Sequence, residues 1–113
     1  MSFQTFNYTA TIANGASLSD VVHLAGHRLF AIQMPATWTA ADLTLQGSAA
    51  GVTYADVYDE LDAEVVIQAG ASRFIILDPA KFVGLQRIKL RSGTTGSAVN
   101  QGGERLITVV AVG

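Results

Sequence analysis

The chain has no cysteine, and only 14% of its 113 residues are charged, against about a quarter in an average soluble domain. The missing thiols exclude disulfides, cysteine-ligated zinc and thiol catalysis, and they leave the redox compartment open. No basic cluster is larger than Arg87, Lys89 and Arg91, which alternate onto one face of a predicted strand, and the net charge is −2. This charge pattern predicts no nucleic-acid partner.

Long apolar runs are also absent. No stretch is long enough to cross a bilayer, and the first residues have neither the basic region nor the apolar core of a secretion signal. We therefore expect a soluble protein that is made in the cytoplasm and has no membrane partner. If the protein is exported, we expect it to leave by assembly or lysis.

Residue patterns that carry catalysis are scarce. His23 and His27 are four residues apart, but the period of two around them places them on no shared helical face. The acidic stretch from Asp56 to Glu64 lacks the ordered spacing of a calcium loop and predicts a solvated turn. No nucleophile, paired carboxylates or phosphate-binding glycine loop can be assembled. The sequence predicts no enzyme, no metal site and no cofactor.

What the sequence does show is a period of two nearly everywhere. Phe6, Tyr8, Ala10 and Ile12 alternate with polar residues, as in a half-buried strand, and similar short segments follow at intervals of eight to twelve residues. This spacing predicts an all-β fold, a single-domain antiparallel β-sandwich or jelly roll of about eight to nine short strands covering residues 1–113. The predicted strands are 6–12, 21–24, 28–34, 43–47, 53–58, 64–68, 73–77, 85–91 and 106–112.

Two segments are predicted to lie outside the strands. Residues 92–104 are rich in Gly, Ser, Thr, Asn and Gln and predict a long flexible loop, which is either an ordinary hairpin tip or a contact loop that becomes ordered against a neighbouring subunit. Residues 1–5 are a possible N-terminal arm. On the contact hypothesis, the assembly contacts are Phe3, Phe6, Val99, Asn100 and Gln101.

Trp38 follows a proline in a loop and has two interpretations. It either plugs one end of the sandwich, as large aromatic residues in small domains usually do, or it forms with Tyr54 a stacking platform for a sugar.

The edges of the predicted sandwich favour self-assembly. Exposed edge strands are usually protected by charge or covered, yet the segments Phe6–Ile12 and Leu106–Val112 contain no charged residue. If either segment lies at an edge, pairing with a neighbour or covering by it is expected. The sequence therefore predicts a homo-oligomer.

Five runs of this sequence carry a resemblance to known proteins. The runs are Ala10–Ser19, Met34–Ser48, Gly84–Gly93, Val99–Gln101 and Arg105–Thr108. They resemble a family of small structural proteins encoded by tailed bacteriophages and prophages. The resemblance implies a virion-associated protein that is made in the host cytoplasm and contacts capsid, spike or tail proteins. The implied role is a capsid decoration (cement) protein or the base of a head or tail spike. The alternative is a carbohydrate-binding module of a phage fibre or tail tip, with a glycan as ligand.

A weaker, local resemblance is to discoidin-like jelly rolls, which often carry a Leu-Gln-Gly-Ser hairpin with an Asp in the turn and a following Trp. This chain has that start at Leu45–Ser48, but Ala50 stands in place of the Asp and Tyr54 in place of the Trp. The resemblance implies the fold and says little about sugar binding.

Overall fold

The computed structural model describes residues 4–113, and it confirms the all-β sandwich. The described part consists of antiparallel strands and their connections and contains no α-helix. A short 3₁₀ helix at Pro79–Phe82 follows the seventh strand, with the Asp78 carboxylate accepting a hydrogen bond from the Ala80 nitrogen. The ten strands are β1 (Thr5–Ile12), β2 (Val22–His23), β3 (Arg28–Gln33), β4 (Leu43–Ser48), β5 (Ala55–Asp56), β6 (Val66–Ile67), β7 (Phe74–Ile76), β8 (Arg87–Thr94), β9 (Ser97–Ala98) and β10 (Arg105–Val112).

The first sheet has four antiparallel strands in the order β1-β10-β3-β7. β1 and β10 pair along their whole length, from Thr5 opposite Val112 to Ile12 opposite Arg105. Between β10 and β3 the register shifts at Val110/Ala111, which is a β-bulge. This pairing leaves β1 and β7 as the two edges.

The second sheet has six strands, with β2, β8, β4 and β5 in order, β6 also on β4 and β9 also on β8. β4 and β8 form its centre, with Leu43 opposite Ser92 and Ser48 opposite Arg87. The predicted hairpin of β4 and the segment after it is confirmed, since Gln46 pairs with Asp56.

The core lies between the two sheets and is built from every second residue of the long strands. Ala10 and Ile12 of β1, Ile107 and Val109 of β10 and Leu45 of β4 are completely buried in it. Alternation follows from the strand itself, because successive side chains point to opposite faces of a sheet. The residues between them therefore form two outer faces, one on each sheet.

The prediction of a long flexible loop at residues 92–104 is wrong for its first part, whereas residues 99–104 contain no strand. β8 continues to Thr94, and β9 folds back on it, with Gly93 opposite Ala98. Gly93 permits this turn, because its φ is +93° and a side chain there would meet the Val99 nitrogen at 2.7 Å. The residues identified in the sequence as loop formers therefore close a hairpin.

The other strand predictions are confirmed with changed lengths. The segments 53–58 and 64–68 contain only two strand residues each, β5 and β6. The proposed N-terminal arm is shorter than expected at its inner end, because Thr5 already pairs in β1. Residues 1–3, including Phe3, lie outside the described residues.

Candidate functional site

The outer face of the four-stranded sheet is almost free of charge. We call it the neutral face. In its four strands, all within the described chain, the register places one charged side chain on this face, Arg28 at its end. The neutral face consists of Thr5, Asn7, Thr9 and Thr11 on β1, Leu106, Thr108, Val110 and Val112 on β10, Phe30, Ala31 and Gln33 on β3, and Phe74 and Ile76 on β7.

Several apolar side chains of the neutral face are open to solvent. Leu106 is 54% exposed, Phe74 55% and Ile76 71%. Val110 and Ala31 are buried although they lie outside the core cluster, so neighbouring side chains of the face itself cover them. A groove of about 330 Å³ lies at the Arg28 end, lined also by Thr5, Phe30, Pro79 and Val112.

The two edges of this sheet differ. The segment Phe6–Ile12 lies in β1, at an edge of the sheet, as the conditional prediction for an uncharged edge requires. Part of this edge is covered. The Thr11 nitrogen donates to Asp20 Oδ1 at 2.9 Å, and the Thr11 oxygen accepts from the Asp20 nitrogen at 3.1 Å. The segment Leu106–Val112 lies in β10, in the middle of the sheet. Its lack of charge therefore concerns the outer face and not an edge.

The outer face of the six-stranded sheet is charged. Arg91 forms ion pairs with Asp56 Oδ1 and Glu64 Oε2, both at 2.8 Å, and donates to Thr44 Oγ1 at 3.0 Å. Thr95 completes this charged network, since its hydroxyl donates to Asp56 and its backbone nitrogen to Glu64. The Arg91 side chain is only 9% exposed.

The network lowers the pKa of Asp56. The largest cause is the hydrogen bond from Thr95, followed by the bond from Arg91, while burial opposes the shift and Gln46 adds a weaker bond. These donors stabilise the ionised carboxylate over its protonated form. The carboxylate is therefore fixed as an anion that holds β5 against β8.

The sequence predicted only half of this network. Arg87, Lys89 and Arg91 do share a face, as expected from their alternation, because they stand opposite Ser48, Gln46 and Thr44.

The acidic partners, in contrast, were assigned to a solvated turn. That prediction holds for Asp59, whose Oδ1 accepts from the Leu61 and Ala63 nitrogens. It is wrong for Asp56 and Glu64, because the turn reverses the chain and returns both carboxylates to Arg91. The two residues are eight apart in sequence, so periodicity within one strand carries no signal for their pairing.

A cleft of about 650 Å³ lies beside this network, between the turn at Asp59–Glu60 and Ala80–Lys81. Its most buried carboxylate, Glu64, is already paired with Arg91. Within residues 4–113 no group of three or more His, Cys, Asp or Glu side chains is arranged to hold a metal. Among the described residues, the carboxylates that line the cleft therefore form no metal site.

The predicted assembly contacts that lie within the described residues, Phe6, Val99, Asn100 and Gln101, differ in exposure. The Phe6 ring stacks on His27 with centroids 3.7 Å apart, and His27 Nδ1 lies 3.0 Å from the Tyr8 hydroxyl, so Phe6 is engaged within the protein. Val99 is half-buried, and its nitrogen donates to the Ser92 oxygen. Asn100 is exposed.

Gln101 was predicted as an assembly contact, and its side chain is 1% exposed. Its Nε2 donates to the Ser92 hydroxyl at 2.7 Å and to the Thr39 oxygen at 3.0 Å, while its Oε1 accepts from the Thr39 nitrogen and from Arg105. All of these bonds are internal. A buried amide requires such partners, and this one finds them within its own chain. The assignment of Gln101 as an assembly contact stays a prediction.

Trp38 and Tyr54 do not form a shared platform. Trp38 is half-buried against the core and donates from Nε1 to the Ala41 oxygen at 3.1 Å, near the start of β4. Tyr54 precedes Ala55, which pairs with Gly47 at the other end of β4, and Lys89 Nζ lies 4.6 Å from the centre of its ring. The packing of Trp38 favours its interpretation as a plug.

Phe74 and Ile76 were not singled out from the sequence. A signal was present, because Phe74-Ile75-Ile76-Leu77 is apolar at successive positions and therefore on both faces of a strand. Such a run belongs either to a strand that is buried on both faces or to a strand that exposes apolar side chains. β7 is of the second kind, because it lies at the edge of its sheet.

Comparisons with known proteins agree with the fold. The sequence matches no known protein family and no curated protein. Among solved structures, the fold is similar to that of the SPBc2 prophage-derived protein YomS, with a TM-score of 0.62 and 11% identity over 100% of this chain and 96% of that one. This likeness shows a fold that is shared with a prophage-derived protein. The described residues contain no helix of the length and apolar character that a membrane crossing requires.

Proposed function

We propose that this protein is a structural component of a tailed-phage particle, either a capsid decoration protein or the base of a head or tail spike. The observation that carries the proposal is the neutral face, a broad sheet surface with exposed Leu106, Phe74 and Ile76 and one charge at its end. Apolar surface exposed in this way marks interaction sites in soluble proteins.

The physical mechanism is burial of the neutral face against the particle. The free energy needed to remove water from threonine and aliphatic side chains is small compared with that for ions. A partner of similar polarity can therefore cover them with a small desolvation penalty. One contact of this kind is modest, but many copies on a lattice reinforce each other through effective concentration. The fold shared with a prophage-derived protein agrees with this role.

The test is occupancy on purified particles. Thr108 lies at the centre of the face, between Thr9 and Gln33, so Thr108→Lys places a charge there without disturbing the core. We expect this variant to fold normally and to be reduced at least tenfold on particles, measured by quantitative mass spectrometry.

The matched control is Val52→Lys, because Val52 is 86% exposed and lies in the turn after β4. Its occupancy should equal that of the wild type. Equal occupancy of Thr108→Lys and the wild type would contradict the assignment of the face. Absence of the wild-type protein from particles would contradict the function itself.

A further inference from the structure

The edge strand β7 leaves four backbone hydrogen-bonding groups open. Met34 donates to the Arg73 oxygen and Leu77 to the Phe30 oxygen, both at 2.8 Å, and Ile75 stands opposite Ile32 between them. In an antiparallel ladder, successive residues direct their N–H and C=O groups to opposite sides. Phe74 and Ile76 therefore direct theirs away from β3, toward the open edge.

The edge of β7 is short, and it has Arg73 before it and Asp78-Pro79 shortly after it. Within Phe74–Ile76 there is no charged residue, proline or bulge, and the two side chains beside the open groups are more than half exposed. On the opposite edge, Asp20 covers part of β1. The open backbone groups of β7 offer a template for another short strand.

We propose that β7 pairs with β7 of a second copy of this chain, antiparallel and about a two-fold axis at Ile75. This inference rests on the proposed function, because it names one partner of the surface that the function uses. Phe74 of one copy stands opposite Ile76 of the other, and the reverse, so all four open backbone groups on each strand are paired.

Self-complementarity is what selects a second copy. An interface with two-fold symmetry requires that residue i contacts residue j and j contacts i, and Phe74 and Ile76 are placed symmetrically about Ile75. The two cross-strand pairs are aromatic with β-branched, a favourable combination in antiparallel sheets.

The absence of native cysteine allows a direct test of the register. Ile75 opposite Ile75 is a non-hydrogen-bonded pair, with Cα atoms about 4.5 Å apart, within the range for a disulfide. Ile76 residues of the two copies are displaced along the strands beyond that range. At about 0.1–1 mM protein, suited to a small and weak interface, Ile75→Cys should cross-link at least fivefold faster than Ile76→Cys under mild oxidation.

Exposure alone predicts the opposite order, because Ile76 is 71% exposed and Ile75 only partly so. Faster cross-linking of Ile76→Cys, or equal rates, would overturn the proposal. The stability of both cysteine variants is measured by chemical denaturation. This control separates a folding defect from a true difference in the rate of cross-linking.

A second measurement does not depend on cysteine. Wild-type protein should self-associate weakly in concentration-dependent sedimentation, and Ile76→Lys should abolish this, while Leu61→Lys, at an 80% exposed position in another turn, should not. Self-association that is unchanged in Ile76→Lys would also overturn the proposal.

Particle occupancy separates this proposal from the proposed function. One outcome is that the wild-type protein is found on particles while Ile75→Cys does not cross-link faster than Ile76→Cys. This would contradict only the pairing of β7 with a second copy. The opposite outcome is that Ile75→Cys cross-links faster while the wild-type protein is absent from particles. This would contradict the proposed function and support the pairing.

Discussion

The outer face of the six-stranded sheet and the neutral face differ in where their polar groups find partners. On the former, Arg91 is held by two carboxylates and two threonines, and Lys89 lies over the Tyr54 ring. On the neutral face, Leu106, Phe74 and Ile76 are open to solvent. The charged network uses its groups to hold its own chain together, whereas the neutral face leaves apolar groups open to solvent.

The largest expected effect breaks the charged network. Arg91→Ala should lower the free energy of unfolding by roughly 2 to 3 kcal/mol, because it leaves Asp56 and Glu64 without their partner. This loss is smaller than that for a deeply buried ion pair, because both carboxylates are partly exposed to solvent. Lys89→Ala, on the same strand and face, should cost about 0.5 kcal/mol. Urea denaturation measures both, and equal losses would mean that Arg91 has no special role.

A smaller effect should appear with pH, because it concerns one of the two carboxylates. The folded-state pKa of Asp56 lies below its ordinary value of 3.8, so the carboxylate stabilises the fold above that value and the contribution is lost as pH falls through the folded pKa. The stability difference between wild type and Asp56→Asn should be constant near neutral pH and shrink below about pH 4. A difference that stays constant to about pH 2.5 would contradict the assignment.

The smallest expected effect on stability belongs to the neutral face. Leu106→Lys should change the free energy of unfolding by less than about 0.5 kcal/mol, as is usual for surface positions, because Leu106 is 54% exposed. The same variant should reduce particle occupancy. Thermal denaturation beside the occupancy measurement tests both, and a loss above about 2 kcal/mol would show that Leu106 serves the fold and not a partner.

The sequence predicts the strands well and their surroundings poorly, for a physical reason. Alternation of apolar and polar residues is a local property, so it predicts β1, β3 and β10 from their own residues. It also predicts that Arg87, Lys89 and Arg91 share a face. Strand order depends on contacts between distant segments, and no local pattern reports that β10 is central while β7 is an edge.

The hairpin of residues 93–98 was missed for a related reason. Its composition is that of a loop, and the fold uses the positive φ of Gly93 and the internal bonds of Gln101 to order it. The neutral face could not be identified from the sequence for the same reason. Phe74 and Ile76 are exposed because β7 lies at an edge, and the strand order that places it there is not a local pattern.

The central position of β10 also sets the order of events during synthesis. β10 is synthesised after β1 and β3, yet it lies between them in the finished sheet. Thr5 must find Val112, which is distant from it in sequence, and such distant pairing makes folding slow. Until β10 emerges, the apolar sides of β1 and β3 have no strand between them. The nascent chain therefore depends on β10 to complete the sheet. A chain truncated before residue 105 lacks the middle of the four-stranded sheet, and we expect it to remain unfolded.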